Sequence, residues 1–330
     1  MWALAVGRPD PCASGASGRR RTGPRRELCR ELEEMTKPPA GTLTPETAHL
    51  TREELKSLTH GEFWIPEAER TVYKLALRTL NEAGIPYVVS WLYAIYQYTG
   101  IYRQTKDLDL LLEPRHVIPA ARVLRGAGFH THLEQAHWIG KAIMDEAVID
   151  LIFGMGNGLH LIDEGWFRHS RAGILAATPV RVAAAEELIW HRLFVSERHR
   201  SDMADIVHLL LTRGDELDWE RLLWRVGQHW RLLLAQLHLF DYVYPGHGHR
   251  VPDWVREELY ERAFEEVGGE GDPTVCRGTL ISRFSFAIDV NEWGFHDLRT
   301  QAVAAVRSLP IIREIRDSDV WDSDATPGRH

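Results

Sequence analysis

The chain has 330 residues, enough for one large domain or two ordinary ones. Its 44% hydrophobic and 26% charged residues are typical of a soluble globular protein, and no apolar run approaches the ~20 residues of a membrane span. The net charge is −8 although the first 40 residues are more basic than acidic, so the rest is acidic and any nucleic-acid contact is expected to be local. Three cysteines without a C-x-x-C pair predict no disulfide framework and no structural zinc, and the expected compartment is a reducing cytoplasm.

Residues 1–45 are rich in Gly, Ser, Pro, Thr and Arg and have no apolar periodicity, which predicts a disordered leader. The segment lacks the apolar stretch of a signal peptide. A competing interpretation is an over-extended gene start, with Met35 as the initiator and residues 1–34 not translated.

The first predicted elements are a helix, a short buried strand and a second helix. Apolar residues at helical spacing run from Val72 to Leu80 and stop before Gly84. The strand covers residues 85–89, and the second helix covers residues 91–98.

Strands and helices are predicted to alternate further along the chain, up to about residue 182, which indicates an α/β arrangement. The predicted elements are a strand over Lys106–Glu113, a helix over Pro119–Gly126 with Pro119 in its first turn, strands over Phe129–Leu133 and Ala147–Phe153, and a Gly-rich turn over Gly154–Gly158.

Beyond residue 183 the pattern becomes helical and few strand signals remain. Helices are predicted over residues 184–196, 202–212, 218–227, 230–243 and 252–265. We therefore predict an α/β domain over residues 46–182, a helical domain over 183–312 and a flexible tail over 313–330.

Three aspartates form the main candidate for chemistry. Asp107 and Asp109 alternate on one predicted strand, so both carboxylates project from the same face. Asp150 lies in an otherwise apolar predicted strand, where a lone carboxylate needs a reason to be buried. Carboxylates held close together are usually retained around a cation, and three on adjacent strands can hold Mg²⁺ (or Mn²⁺) for in-line attack at phosphorus.

The run 88–110, with Arg103-Gln-Thr-Lys-Asp-Leu-Asp109, resembles the core of the minimal nucleotidyltransferase superfamily. More narrowly it is similar to AbiEii-like bacterial nucleotidyltransferases, some of which are toxins of toxin–antitoxin pairs. A third acidic residue follows later in such proteins, as Asp150 does here, and the helical stretch 186–208 is also similar. The resemblance covers roughly residues 62–300. It implies an α+β fold class, with a nucleotidyltransferase-type mixed sheet, flanking helices and a mainly helical C-terminal domain.

The resemblance also implies the roles of nine residues. Asp107, Asp109 and Asp150 would be the catalytic and metal-binding carboxylates. The nucleotide-binding residues would be Ser90, Arg103, Thr105, Lys106, Arg192 and Asp202. Two positions depart from the family pattern: Trp91 stands where a small residue lets the backbone approach the triphosphate, and Arg192 stands where relatives carry a lysine.

Other polar residues have competing interpretations. Lys141 is interpreted as a surface residue, with a phosphate contact as the alternative. Asp202 and Asp205 belong to an interhelical salt-bridge network, which we favour, or they position Arg192 or contact the base. A haloacid dehalogenase-type phosphatase and an Asp-x-Asp glycosyltransferase fit the residues around Asp107 less well.

The sequence therefore predicts a metal-dependent nucleotidyltransferase that moves a nucleoside monophosphate from a nucleoside triphosphate to an acceptor hydroxyl. The acceptor is left open between tRNA, a protein and a small molecule, and the resemblance adds a cognate antitoxin as a partner. The alternative is a catalytically degenerate nucleotidyltransferase fold that binds a nucleotide or a partner protein, and Trp91 is its main support.

Overall fold

A computed structural model describes residues 63–197, 200–266 and 271–322, so the predicted leader over residues 1–45 lies outside the described residues. The described residues all belong to a single unit of the chain, Gly41–His330. The division at residue 182 into two domains stays a prediction.

A seven-stranded mixed sheet forms the centre of this unit. Its strands are β1 (Val88–Val89), β2 (Asp107–Leu111), β3 (His130–Gln135), β4 (Ile139–Met144), β5 (Ala147–Ile152), β6 (Arg171–Leu175) and β7 (Thr178–Val182). They lie in the order β3-β4-β5-β2-β1-β7-β6. The pairs β2·β5 and β1·β7 are parallel, and the other neighbours are antiparallel.

Four helices accompany the strands: α1 (Glu67–Glu82), α2 (Trp91–Thr99), α3 (Pro114–Gly126) and α4 (Glu164–Arg168). The first two confirm the predicted helices. The third begins at Pro114 and carries Pro119 in its interior, so the predicted start at Pro119 is wrong. Pro114 suits the first turn because an N–H there has no partner inside the helix, and the buried face of α3 offsets the hydrogen bond that Pro119 cannot donate.

The predicted alternation of strands and helices is wrong between residues 129 and 182. Strand β4 was not predicted, and it joins β3 and β5 in an antiparallel meander. A second antiparallel pair, β6 and β7, was not predicted either. Strands β4 and β6 are only partly buried, so their apolar pattern is weak, whereas β7 alternates buried and exposed residues but over only five positions.

The five helices predicted after residue 183 are all confirmed. They are α5 (Ala185–Arg192), α6 (Met203–Arg213), α7 (Trp219–Val226), α8 (Trp230–Val243) and α9 (Asp253–Glu265). The chain then forms β8 (Val275–Cys276), α10 (Ala287–Asn291), β9 (His296–Asp297), α11 (Leu298–Ser308) and α12 (Pro310–Asp317), with β8 parallel to β9. The predicted fold class, a mixed sheet with flanking helices followed by a mainly helical C-terminal part, is confirmed.

The C-terminal residues pack against the sheet as far as Asp322. Val320 is buried, and the Trp321 indole donates a hydrogen bond to the Ile315 carbonyl over 2.6 Å. Residues 313–322 of the predicted flexible tail are thus helical or in contact with the sheet, and 323–330 lie outside the described residues. In the described part of the chain, every helix is too short or too polar to cross a membrane.

Candidate metal and nucleotide site

Asp107, Asp109 and Asp150 meet on two hydrogen-bonded strands. Asp109 on β2 is the direct cross-strand neighbour of Asp150 on the parallel strand β5, and Asp107 lies two residues earlier on the same face. Each offers a carboxylate oxygen, and these oxygens all lie within 4.8 Å of one another. The strand period and the placement of Asp150 on a neighbouring strand therefore bring the three carboxylates together as expected; their roles in metal binding and catalysis stay predictions.

The protein environment disfavours the ionised form of two of these carboxylates. Burial raises the pKa of Asp109 well above its ordinary value, and the nearby charges of Asp107 and Asp150 raise it further. Burial also raises the pKa of Asp150, although Lys141 opposes the change. A bound cation relieves both effects, because it replaces lost hydration and cancels carboxylate repulsion.

Lys141 contacts this cluster instead of solvent. It is the cross-strand neighbour of Asp150 on β4, and its Nζ lies 2.7 Å from Asp150 Oδ1. The interpretation of Lys141 as a surface residue is therefore wrong. The sequence pattern does not predict strand β4, and this strand places the half-buried Lys141 side chain on the carboxylate face.

Two residues that precede β2 each contact an aspartate that lines the cavity. Thr105 Oγ1 donates a hydrogen bond of 2.7 Å to Asp107 Oδ1. Arg103 forms an ion pair with Asp205 on α6. Lys106 is exposed and is not among the residues that line the cavity of the aspartates.

Ser90 and Trp91 lie where β1 passes into α2. The Ser90 N–H donates to the Asp109 carbonyl over 3.1 Å, and its fully buried Oγ has no hydrogen-bond partner among the described residues. Trp91 has a φ of 48°, a left-handed conformation that is unusual for a bulky residue. Its ring centroid lies 4.4 Å from that of His191, so the indole packs against α5 and borders the cavity.

Arg192 is buried between α5 and α6. Its Nε lies 3.0 Å from Asp205 Oδ2 and 3.9 Å from Asp202 Oδ2. The favoured salt-bridge network is therefore present, and Arg103 extends it to the residues before β2. The Nη1 atom of Arg192 has no hydrogen-bond partner within the described ranges, and the side chain borders the cavity.

An open cavity of about 810 Å³ contains most of the predicted site. Of the predicted residues, those that line it are Asp107, Asp109, Asp150, Arg103, Thr105, Arg192 and Asp202. Ser90 and Lys106 are not among the lining residues.

Arg200 is a cavity residue to which the sequence assigned no site role. It precedes α6 and forms an ion pair with Asp202 over 3.2 Å. Although burial lowers the pKa of Arg200, the hydrogen bond and charge of Asp202, together with Asp109 and Asp107, raise it overall. Arg200 thus places a positive charge on the wall of the cavity that the three carboxylates also line.

A second part of the cavity wall comes from the C-terminal region. It includes Thr279, Leu280, Ile281, Arg283, Phe284 and Arg299. The sequence pattern indicates no role for these residues. No periodicity places them at the site, because it is their tertiary packing that brings them to the cavity.

No family model and no curated protein matches this chain. The antibiotic-resistance factor ANT(2'')-Ia is similar in structure, with a TM-score of 0.37 and 16% identity over 54% of this chain and 100% of its own. The lincosamide antibiotic adenylyltransferase LnuA has a TM-score of 0.32 and 15% identity, covering 44% and 96%. An antigenic nucleotidyltransferase-like protein from Paracoccidioides brasiliensis has a TM-score of 0.30 and 15% identity, covering 51% and 91%. These scores are low, so functional inference rests on the geometry of the site.

Proposed function

We propose that the protein is a metal-dependent nucleotidyltransferase that moves a nucleoside monophosphate from a nucleoside triphosphate to an acceptor hydroxyl. The observation that carries this proposal is the convergence of Asp107, Asp109 and Asp150, with their oxygens within 4.8 Å of one another in an open cavity. In the transfer, the acceptor oxygen bonds to the α-phosphorus, the bond to the β-phosphate oxygen breaks, and pyrophosphate leaves with that electron pair.

The three aspartates are the proposed metal ligands, and their all-oxygen donor set suits Mg²⁺ or Mn²⁺. A divalent ion bound there would neutralise phosphate charge and lower the pKa of the attacking hydroxyl. We assign Asp150 as the general base that accepts the proton of the acceptor hydroxyl. The Lys141 ammonium favours the ionised form of Asp150, which both roles need.

Cationic side chains on the α5–α6 side supply the phosphate contacts in this proposal. Arg192 has an unused buried donor that borders the cavity, and Arg200 lies close to the aspartates. Arg103 and Thr105 fix the entrance to β2 through Asp205 and Asp107. Ser90 offers a buried hydroxyl, and Lys106 and Asp202 complete the predicted nucleotide-binding set.

The finer assignments rest on the sequence resemblance alone. They are the AbiEii-like subtype, a role in a toxin–antitoxin pair with a cognate antitoxin, and an acceptor that is tRNA, a protein or a small molecule. We also propose Mg²⁺ or Mn²⁺ as the bound ion, from the carboxylate donor set, and a cytoplasmic location, from the cysteine pattern.

Trp91 supports a second candidate, a degenerate fold that binds a nucleotide or a partner without transfer. Its indole occupies the start of α2, and its ring centroid lies 5.5 Å from the Arg192 guanidinium carbon. A side chain in this place competes with a triphosphate for the same donors.

Calorimetric titration with each nucleoside triphosphate and Mg²⁺ tests the proposal. We expect metal-dependent binding by the wild type and its loss in Asp107→Asn/Asp109→Asn. Glu146→Gln, which changes an exposed carboxylate in the turn between β4 and β5, is the matched control and should bind normally. Absence of metal-dependent binding in the wild type would sink the enzyme proposal, whereas binding without transfer to RNA, protein or small-molecule acceptors would favour the degenerate module.

A further inference from the structure

Residues 278–284 form a fixed part of the cavity wall. The Asn157 side-chain amide donates to the Leu280 carbonyl over 3.1 Å. Glu197 accepts one hydrogen bond from Ser282 Oγ over 2.6 Å and one from the Arg283 backbone N–H over 3.0 Å. This part of the C-terminal region is therefore anchored to the cavity by side chains from two other parts of the chain.

Two arginines on this wall lack a carboxylate partner. Within the described residues, neither Arg283 nor Arg299 has an acidic oxygen within 4.0 Å of its guanidinium nitrogens, whereas Arg103, Arg192 and Arg200 all do. The Arg283 guanidinium carbon lies 4.4 Å from the centroid of the Phe284 ring.

Arg299 is held at the cavity by a neutral acceptor. One of its Nη atoms donates to the Gly156 carbonyl over 2.7 Å, and His137 Nε2 lies 3.3 Å from the same oxygen. This bond orients Arg299 without neutralising it. The remaining donors of a guanidinium form a planar fork that suits a phosphate.

Counting Arg299 itself, the charged groups that act on its pKa are three arginines and two carboxylates. Burial lowers its pKa, and Arg283 lowers it further, while Asp297 and Glu197 oppose the change and Arg307 adds to it. Glu197 accepts the two hydrogen bonds described above from neutral donors, and among the described residues it forms no ion pair with either arginine. An anion is the ligand that this part of the wall would stabilise.

We propose that Arg283 and Arg299 bind a phosphate group of the acceptor, so that the acceptor is a phosphate-bearing molecule with a free hydroxyl. The inference rests on the proposed function and names the substrate class for the same cavity. Trp138 and Phe284 border this wall and present aromatic rings, which suits an acceptor that carries a base beside its phosphate. The shared chemistry is that of a mononucleotide or of an RNA end, and the acidic remainder of the chain restricts such a contact to this cluster.

Binding of acceptor probes in EDTA, without nucleoside triphosphate, tests the inference separately from transfer. The probe is a short single-stranded RNA with a 5′ fluorescein, followed by anisotropy, with adenosine monophosphate, adenosine, inorganic phosphate and citrate as competitors. We expect Arg283→Ala/Arg299→Ala to raise the Kd of the RNA or of the monophosphate about tenfold or more. Arg277→Ala/Arg313→Ala, which removes two exposed arginines that do not line the cavity, should change either Kd less than about twofold.

The competitors distinguish the sources of the phosphate. Displacement of the RNA by adenosine monophosphate but not by adenosine indicates a mononucleotide-sized acceptor. Binding of RNA that adenosine monophosphate does not displace indicates a polymer end. The inference is overturned if adenosine competes as well as its monophosphate, if citrate competes as well as phosphate, or if the wild type binds no phosphate-bearing probe.

Two further variants separate this result from a folding defect and from failure of the proposed function. Arg283→Lys/Arg299→Lys keeps both charges and should recover part of the affinity. Asp107→Asn/Asp109→Asn should still bind the RNA in EDTA, because it removes proposed metal ligands and leaves both arginines in place. If Arg283→Ala/Arg299→Ala weakens binding of the nucleoside triphosphate as much as that of the RNA, these arginines belong to the triphosphate site and the inference is wrong.

Discussion

A buried carboxylate such as Asp109 is costly when its neighbours carry the same charge. No cationic side chain among the described residues lies within 4.0 Å of the Asp109 carboxylate, whereas Asp150 forms an ion pair with Lys141. Natural sequences place such groups where a ligand compensates them. At the scale of single residues, the clearest expectations therefore concern groups whose burial disfavours their charge.

Asp109→Asn should stabilise the metal-free protein. Because its pKa is raised, the folded protein binds this proton more tightly than the unfolded chain does, and the wild type loses stability as pH rises above the unfolded pKa of about 3.8. At pH 7 we expect the variant to gain about 1–3 kcal/mol in the free energy of unfolding in EDTA, with the gain shrinking toward acidic pH. Denaturant titration at several pH values measures this.

Adding Mg²⁺ should reverse that order. The wild type is expected to gain stability on metal binding, while Asp109→Asn gains little because a ligand is lost. Asp145→Asn, an exposed substitution in the turn after β4, should follow the wild type in both conditions. Equal stabilisation of all three proteins by Mg²⁺ would contradict a metal role for Asp109.

His191 should make the protein sensitive to acid. Burial, with help from Arg192 and Arg200, lowers its pKa from 6.5 to about 3, and neither ring nitrogen has a hydrogen-bond partner in the part of the chain that the structure describes. The unfolded chain takes up this proton near pH 6.5 and the folded protein does not. The free energy of unfolding should therefore fall between about pH 6.5 and pH 3, by up to about 1.4 kcal/mol per pH unit for one such group.

His191→Phe should flatten this pH dependence by about one proton. Burial also lowers the pKa of His160, to about 4, so part of the slope remains in the variant. His238→Phe, which removes an exposed histidine on α8, serves as the control. An unchanged slope of unfolding free energy against pH in His191→Phe would show that His191 is protonated in the fold.

At the scale of whole elements, the periodicity of apolar residues predicts the bounds of a helix or strand well where that element buries one continuous face. Helices α6 to α9 each bury one face, α5 is buried almost all round, and all five fall close to their predicted bounds. The Asp-x-Asp strand was also predictable, since its two carboxylates alternate with buried leucines. Strands β4 and β6 were not, because exposed and half-buried residues break their patterns. Lys141 was misplaced for the same reason.

The loop before α4 depends on one glycine. Gly158 has a φ of 77°, and a Cβ there would lie 2.5 Å from the backbone nitrogen of Val303 on α11. Gly158→Ala should therefore cost both strain and close packing, about 2–4 kcal/mol of unfolding free energy. Because Gly156 in the same loop holds Arg299, binding at the proposed phosphate wall should weaken as well.

Gly84→Ala provides the matched comparison. Gly84 has a similar φ of 66°, but a Cβ there would meet no atom within 4 Å. Its substitution should cost only the strain, about 1 kcal/mol, and leave ligand binding unchanged. Chemical denaturation of both variants measures the difference, and equal losses would show that contact with α11 does not matter.

For the whole molecule, the sheet order leaves β3 and β6 as edge strands. The C-terminal residues cover part of β3, since the Asp322 N–H donates to the Thr131 carbonyl over 2.8 Å and Asp322 Oδ2 accepts from the Thr131 N–H over 2.9 Å. Covering an edge removes unpaired backbone groups that otherwise recruit other chains. Nothing local in the sequence after residue 312 predicts this contact, because its partner strand lies near the middle of the chain.

Trp321→Ala should open this edge. The indole lies so close to Gly140 on β4 that a Cβ there would come within 2.7 Å of it, and its N–H bonds the Ile315 carbonyl. Removing it should lower the free energy of unfolding by about 2–4 kcal/mol, increase hydrogen exchange at the Thr131 amide and promote self-association. Arg316→Ala, an exposed change on α12, should alter stability by less than about 0.5 kcal/mol. Unchanged exchange at Thr131 in Trp321→Ala would mean that Asp322 holds the edge without the indole, and equal stability losses in both variants would mean that the contact with Gly140 contributes nothing.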